Sequence, residues 1–250
     1  MTVLLLAGTA EARRLAAALA EQSVPALASL AGATREPAPL GLPTRHGGFG
    51  GEEGFARFLD ERGVRAVIDA THPFAARITA RTHRVCAARG LPLLRLERPG
   101  WQPRPGERWT FVADEAEAIR LIPPEAVAFL ATGRQSLPAW AGLAARRAHL
   151  RIVDPPRGPF PLPGSYVVAR PPFGREAEAL LFRELGVTHL VAKDSGGAEG
   201  RGKLDAARDL GIEVVVLRRP PAPEGLRIVA TVEEALGWIR QLPFCSGGLS

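Results

Sequence analysis

A few short stretches gather the residues that can do chemistry. Asp69-Ala70-Thr71-His72 brings a carboxylate, a hydroxyl and an imidazole together, a denser polar set than a turn needs. Lys193-Asp194-Ser195-Gly196-Gly197, continuing to Gly202-Lys203, carries the only two lysines of the chain. Gly8-Thr9, Thr132-Gly133-Arg134 and Arg218-Arg219-Pro220 complete the set. A glycine followed by a helix start exposes free N–H groups and suits an anion. An imidazole can move a proton near neutral pH. Plainer structural readings stand beside these. Thr9 and Thr71 also suit helix N-caps, Pro73 suits a first helical turn, and His72 taken alone suits a structural imidazole.

Gly197, Gly202 and Lys203 also fit G-x-x-x-x-G-K, the front of a nucleotide-hydrolase phosphate loop. A magnesium-dependent loop of that kind carries Ser or Thr next, as a metal ligand. Leu204 stands there instead, and no strand-end acid pairs with the loop. An anion site is therefore expected, without ATP hydrolysis. G-x-G-x-x-G occurs nowhere in the chain, so the ordinary dinucleotide fingerprint gives no support. No metal site is expected, because Cys86 and Cys245 have no metal-type spacing; both are read as ordinary thiols.

Alternating β-type and helical patterns position these stretches. Strands are expected at Val3–Leu6, Pro25–Leu30, Ala66–Asp69 and Pro92–Leu96, with helices at Ala10–Glu21, Gly51–Arg62 and Phe74–Arg89. After a Pro-, Gly- and Arg-rich linker at Arg98–Arg108 the pattern restarts. Strands are expected at Trp109–Val112, Ala126–Ala131, Leu150–Val153, Val187–Ala192 and Glu213–Leu217. Helices are expected at Glu115–Leu121, Leu137–Arg147, Arg175–Leu185, Lys203–Leu210 and Val232–Gln241. Such alternation predicts an α/β protein of two doubly wound, parallel-sheet domains, 1–100 and 101–250. Ligands of these sheets bind beyond the carboxyl ends of the strands, where the polar stretches fall.

The chain has 250 residues, 46% of them hydrophobic, which excludes disorder as its main state. No apolar run reaches the ~18 residues that cross a membrane. VLLLAG near the N-terminus is too short for a signal segment, so a cytoplasmic protein without membrane partners is expected. Net charge is +6, from 32 basic and 26 acidic residues. That excess is either compositional or serves a polyanionic partner. With 6% aromatic residues and no basic run interleaved with aromatics, nucleic acid is not expected as a partner.

Taken in order, Leu4–Arg13 (LLLAGTAEAR), Asp69–Ala75 (DATHPFA), Arg98–Trp101 (RPGW), Ala131–Arg134 (ATGR), the KDSGG…GK loop at Lys193–Lys203 and Arg218–Pro220 (RRP) resemble the precorrin-6A reductase family of cobalamin biosynthesis. The resemblance covers nearly the whole chain; a glycine-rich HGGFGG at His46–Gly51 stands outside it. It implies two Rossmann-like domains that exchange a strand, with the active site in the cleft between them. It implies NADPH as cofactor and reduction of one carbon–carbon double bond of the precorrin-6A macrocycle, giving precorrin-6B. The Arg excess then meets the acetate and propionate arms of a tetrapyrrole.

The resemblance makes His72 or Lys203 the expected proton donor. Gly8, Thr9, Thr132, Gly133, Arg134, Ser195, Gly196 and Gly197 are the expected cofactor contacts, and Asp69, Thr71, Lys193, Asp194 and Arg218 the expected substrate contacts. Arg35 or Arg134 could meet a 2′-phosphate, since Ser29–Arg35 offers no acid for a ribose. The first domain is expected mainly to present the macrocycle and the second to hold the nucleotide. Three alternatives stay open: a cobalt-precorrin-6A reductase, a phosphate-loop hydrolase or kinase, and a non-enzymatic nucleotide-binding module.

Overall fold

The structure, a computed structural model, describes residues 2–31 and 39–243. Arg35 and Cys245 lie outside the described residues. The chain starts with β1 (Thr2–Ala7), α1 (Ala10–Glu21), β2 (Ala26–Leu30), β3 (Thr44–His46), α2 (Gly51–Glu61), β4 (Val64–Ala70), α3 (Ala76–Ala88) and β5 (Leu93–Leu96). It continues with β6 (Trp109–Val112), α4 (Glu115–Leu121), β7 (Val127–Ala131), a 3-10 turn (Arg134–Trp140), β8 (Arg147–Ile152) and β9 (Gly164–Val168). Then follow α5 (Arg175–Leu185), β10 (His189–Lys193), α6 (Gly202–Asp209), β11 (Glu213–Leu217), β12 (Ile228–Val229) and α7 (Val232–Arg240).

Two compact units result: Met1–Pro99 with Pro220–Ser250, and Gly100–Arg219. The first holds a six-stranded sheet in the order β12-β5-β4-β1-β2-β3, the second one in the order β6-β11-β10-β7-β8-β9. Every neighbouring pair is parallel. The first order is the doubly wound 3-2-1-4-5-6 arrangement; the second shares its 3-2-1-4-5 part, with the unit's earliest strand in the last place. The sixth place is taken by β12 in the first sheet and by β6 in the second.

The central strands are buried on both faces, so they read as continuous apolar runs. Leu4, Leu5 and Ile68 are fully enclosed, each stabilising the fold by roughly 1.5–3 kcal/mol. In α1, Ala12, Leu15, Ala16 and Leu19 fall on one helical face and join Ala235, Trp238 and Ile239 of α7 against one side of the first sheet. Phe55 and Leu59 of α2, with Val85 and Cys86 of α3, cover the other. In the second unit, Phe182 of α5 and Leu204 and Ala207 of α6 pack on Phe129 and Val216 of the sheet.

Three expectations are corrected. The helix expected over Leu137–Arg147 is instead a 3-10 turn ending at Trp140, and Arg147 already opens β8. Pro138 lacks a backbone donor, and Gly142 follows, so an α-helix does not propagate. The second unit does not run to residue 250: β12 pairs with β5, and α7 packs on α1, so Pro220–Ser250 belongs with the first unit. Thr71 does not cap α3, whose N-cap is Ala75. The edge strands β3, β9 and β12 had no counterpart among the expected elements. Among the described residues no helix is long and apolar enough to cross a membrane. Cys86 is a buried free thiol; burial pushes its pKa up to about 12.

Candidate functional site

In each sheet the chain winds outward from a central strand, then returns to its other side. The carboxyl ends of those two strands form the switch point where doubly wound proteins bind ligands. Of the expected site residues that are described, all but one fall at or beside these two places; Arg218, after the end of β11, is one strand further out.

In the first unit the switch point lies between β1 and β4, paired Ala7 to Ala70. Thr9 joins the two loops: its hydroxyl donates to the Ala70 carbonyl at 3.0 Å and accepts from the Ala12 N–H at 3.1 Å. A β-carbon at Gly8 would lie 3.6 Å from Thr71 Cα and 3.5 Å from His72 N, so backbone packs on backbone here. His72 Nδ1 accepts from the Phe74 N–H at 3.2 Å, which leaves the proton of the neutral ring on Nε2.

Asp69 and Thr71 were expected to meet substrate; the geometry turns them inward. Asp69 is fully buried. Its carboxylate accepts from the Thr71 N–H at 3.1 Å, the Thr71 hydroxyl at 2.6 Å, Thr79 at 2.6 Å and Arg95 at 2.7 Å. A carboxylate so enclosed positions the loop that carries His72. Glu11 stands in the first turn of α1, bound to Arg98 and, at 2.8 Å, to Arg14. Burial pushes the Glu11 carboxyl up, but its own backbone N–H, Arg98 and Arg14 outweigh that and hold it below the usual range. A negative charge therefore already sits at this helix start.

Beyond β4 and β5 lies a pocket the sequence did not reveal. It has a volume of about 290 Å³ and is partly open to solvent, between Pro73, Thr79, Arg95, Glu97 and the strap from Pro220 to Pro223.

In the second unit the switch point lies between β7 and β10, paired Ala131 to Ala192. After β7, the Thr132 and Ser136 hydroxyls lie 2.7 Å apart, and Trp140 Nε1 donates to both at 3.2 Å. This fixes the turn that presents Gly133, where an added β-carbon would meet nothing within 4 Å. The Arg134 guanidinium donates to the carbonyls of Asp154 and Pro155.

At the end of β10, Lys193 is half-buried; burial lowers its pKa, opposed by Glu115. Gly196 and Gly197 both adopt positive φ, 65° and 75°, a pair of left-handed residues that other side chains resist. Trp101 holds this loop. Its N–H donates to Asp194 at 2.9 Å and its indole N–H to the Gly197 carbonyl at 2.7 Å. A β-carbon at Gly200 would lie 2.7 Å from the indole ring. Lys203 donates to the Gly200 carbonyl at 2.7 Å and stands 4.6 Å from the ring centre. Asp194, expected to meet substrate, is buried against the Trp101 N–H, with Arg219 at 3.5 Å. Arg218 lies over Phe111 at 4.9 Å.

Trp101 was legible only as part of a marker motif. A tryptophan in a Pro- and Gly-rich linker was the signal that it packs on something distant. Among the described residues no group of His, Cys, Asp and Glu is arranged to hold a metal ion.

Two six-stranded parallel sheets, each with polar and glycine-bearing loops at its switch point, define a protein of two Rossmann-like units. Its sequence matches the precorrin-6x reductase CbiJ/CobK family over residues 2–240. It is 45% identical over 239 residues to a precorrin-6A reductase of Rhodobacter capsulatus, covering 95% of each chain. It is 46% identical to one of Rhodococcus erythropolis, covering 96% of this chain and 98% of the relative. A cobalt-precorrin-6A reductase of Priestia megaterium is 28% identical over 94% of this chain and 96% of that one. A solved structure described as CobK precorrin-6A reductase has a TM-score of 0.91 and 44% identity, covering 96% of both chains. The chain belongs to the precorrin-6x reductase CbiJ/CobK family, whose members are oxidoreductases acting on a CH–CH bond.

Proposed function

We propose that the chain reduces one carbon–carbon double bond of precorrin-6A with NADPH, giving precorrin-6B. The observation that carries this reading is the family match along nearly the whole chain. The metal-free macrocycle is favoured over the cobalt form because identity is 45–46% to the two precorrin-6A relatives against 28% to the cobalt one.

The residues fit a dinucleotide best in the second unit. Gly133 leaves open space at its β-carbon position, the left-handed Gly196–Gly197 turn follows Ser195, and the Lys203 ammonium stands beside the loop. The start of α1 suits a pyrophosphate less, because the Glu11 carboxylate already occupies it and takes up Arg14 and Arg98. Thr132, Gly133, Ser195, Gly196 and Gly197 would hold the nucleotide, with Lys203 and Arg134 supplying positive charge. Gly8 and Thr9 would contribute only backbone contacts.

The first unit would then present the macrocycle. A bound nicotinamide supplies the hydride, and most of the protein's task is holding the two rings in register. His72 is the proposed donor of the proton that completes the reduction: as imidazolium it gives up one proton and leaves a neutral ring, whose Nδ1 accepts from the Phe74 N–H when the remaining proton is on Nε2. Lys193 and Arg218 remain proposed contacts for the macrocycle's carboxylates. Preference for NADPH over NADH rests on the family resemblance and on Arg134, next to Gly133, as the cation that would meet a 2′-phosphate.

The test mixes the purified protein with NADPH and precorrin-6A and follows NADPH consumption by absorbance. One NADPH consumed per macrocycle is expected. Binding of NADPH without consumption would point to a nucleotide-binding module; indifference to both compounds would overturn the reading. His72→Gln is expected to lower kcat at least about tenfold, with NADPH affinity unchanged. Loss of cofactor affinity instead would reverse the roles of the two units.

A further inference from the structure

The HGGFGG stretch takes no part in the reaction above, yet it borders an unusual pair of cations. Arg45 of β3 and Arg81 of α3 both lie over the ring of Phe49, 4.0 Å and 5.3 Å from its centre. Arg45 also faces Phe58 at 5.3 Å, and Arg81 faces Phe55 at 4.8 Å. The rings of Phe55 and Phe58 meet Phe49 edge-on, so three aromatic residues fix both guanidinium groups.

Among the described residues neither guanidinium has a carboxylate partner. Arg45 donates to the Ser29 hydroxyl at 3.0 Å and to the carbonyls of Gly47 and Gly48 at 2.8 and 2.9 Å. Arg81 is half-buried, and its Nε has no hydrogen-bond partner. The acids nearest in effect to Arg81 are Asp69 and Glu52. Asp69 is enclosed by Arg95 and two threonines, and Glu52 is held by Arg84. Burial lowers both Arg pKa values; for Arg81, Asp69 and then Glu52 oppose that, and Arg45 adds a smaller lowering. Two partly desolvated cations thus stand against one ring, with Asp69 and Glu52 acting on Arg81 only at a distance and bound to other groups; an anion in direct contact would offset the cost of their burial. The adjacent loop leaves room: β-carbons added at Gly47, Gly48, Gly50 or Gly51 would meet nothing within 4 Å.

We propose that Arg45 and Arg81 form an oxyanion site at the carboxyl end of β3, taking a carboxylate or phosphate group of a reactant. This deepens the proposed reaction and rests on it for the source of the anion. A carboxylate arm of the macrocycle is the source that agrees with the first unit's role; the cofactor's 2′-phosphate is the other. A planar guanidinium suits either group.

Inorganic phosphate is the probe that needs no turnover. It is expected to raise the melting temperature of the wild type in a saturable way, and Arg81→Met to weaken apparent phosphate affinity at least about tenfold. Arg81 makes no hydrogen bond to the fold, so this variant is the cleaner one; Arg45→Met tests the loop-bound partner, and Arg81→Lys keeps the charge. A merely structural Arg81 would shift melting equally with and without phosphate, and an unchanged phosphate response would overturn the site. In turnover, a raised KM for the macrocycle with unchanged NADPH-to-NADH preference assigns the carboxylate. Collapse of that preference assigns the 2′-phosphate. Neither change would overturn the functional part of the proposal. If the protein turned over neither compound, the proposed reaction would fail while the phosphate titration still decided the site.

Discussion

At the first unit's switch point, Asp69 is fully buried and takes four hydrogen bonds, one of them from Arg95. At the second, Asp194 takes a hydrogen bond from the Trp101 N–H, with Arg219 at 3.5 Å, and most of the loop's shape comes from glycines folded over an indole ring. One topology has therefore been fixed by buried charge in one place and by aromatic packing in the other. Buried charge gives a rigid loop whose loss of one partner is severe. A glycine loop on a ring leaves its lysine partly exposed, and left-handed glycine turns of this kind suit anion binding.

The sharpest way to break this comparison is Asp69→Ala. It removes the acceptor of four buried hydrogen bonds and leaves Arg95 with Glu97 as its carboxylate partner; it is expected to destabilise the first unit by about 3–5 kcal/mol, read by thermal or urea melting. Asp194→Ala is expected to cost less, about 1–3 kcal/mol. Equal losses would mean that the two switch points are held alike. Next in size, Lys203→Ala is expected to weaken NADPH binding about tenfold, while stability changes by no more than about 1 kcal/mol. NADPH titration by fluorescence checks it; retained affinity would make the lysine a brace for Gly200 only.

The smallest effect concerns His149, buried on β8 with Nδ1 against Ser165 at 2.9 Å. Burial, then Arg147, lowers its pKa, so the fold favours the neutral ring. The unfolded chain takes up the proton first, near about pH 6.5. Stability is therefore full above that pH and falls as pH drops below it, by a fraction of a kcal/mol. Melting curves of wild type and His149→Asn between about pH 7 and pH 5 check this, and the variant is expected to flatten the slope.

Much of this was legible in the chain. Short continuous apolar runs such as Val3–Leu6, bounded by turn signals and alternating with helical patterns, read as strands buried on both faces, and the polar residues after them fall at one end of a parallel sheet. The edges were not legible. β12 has two residues and β3 has three, too few to show a period of two. The 3-10 turn at Arg134–Trp140 carries an apolar spacing that mimics a helix until Pro138 is weighed. Asp69 reads like a catalytic acid because sequence shows its type and not its burial; Arg95, its partner, is 26 residues away. The clamp of Trp101 on Gly197 spans 96 residues, a distance at which no local pattern operates.

The place of β12 and α7 in the first sheet bears on the order of assembly during synthesis. The second unit is contiguous, Gly100–Arg219, whereas the first needs residues beyond Pro220. A ribosome therefore releases every residue of the second unit before the first can be finished. Until then the outer edge of β5 has no partner, and the apolar side chains of α1 that meet Trp238 and Ile239 stay uncovered. An open parallel edge beside apolar surface is a template for pairing with another chain. The nascent first unit is thus the part of this molecule most exposed to aggregation, and its last helix is what ends that exposure.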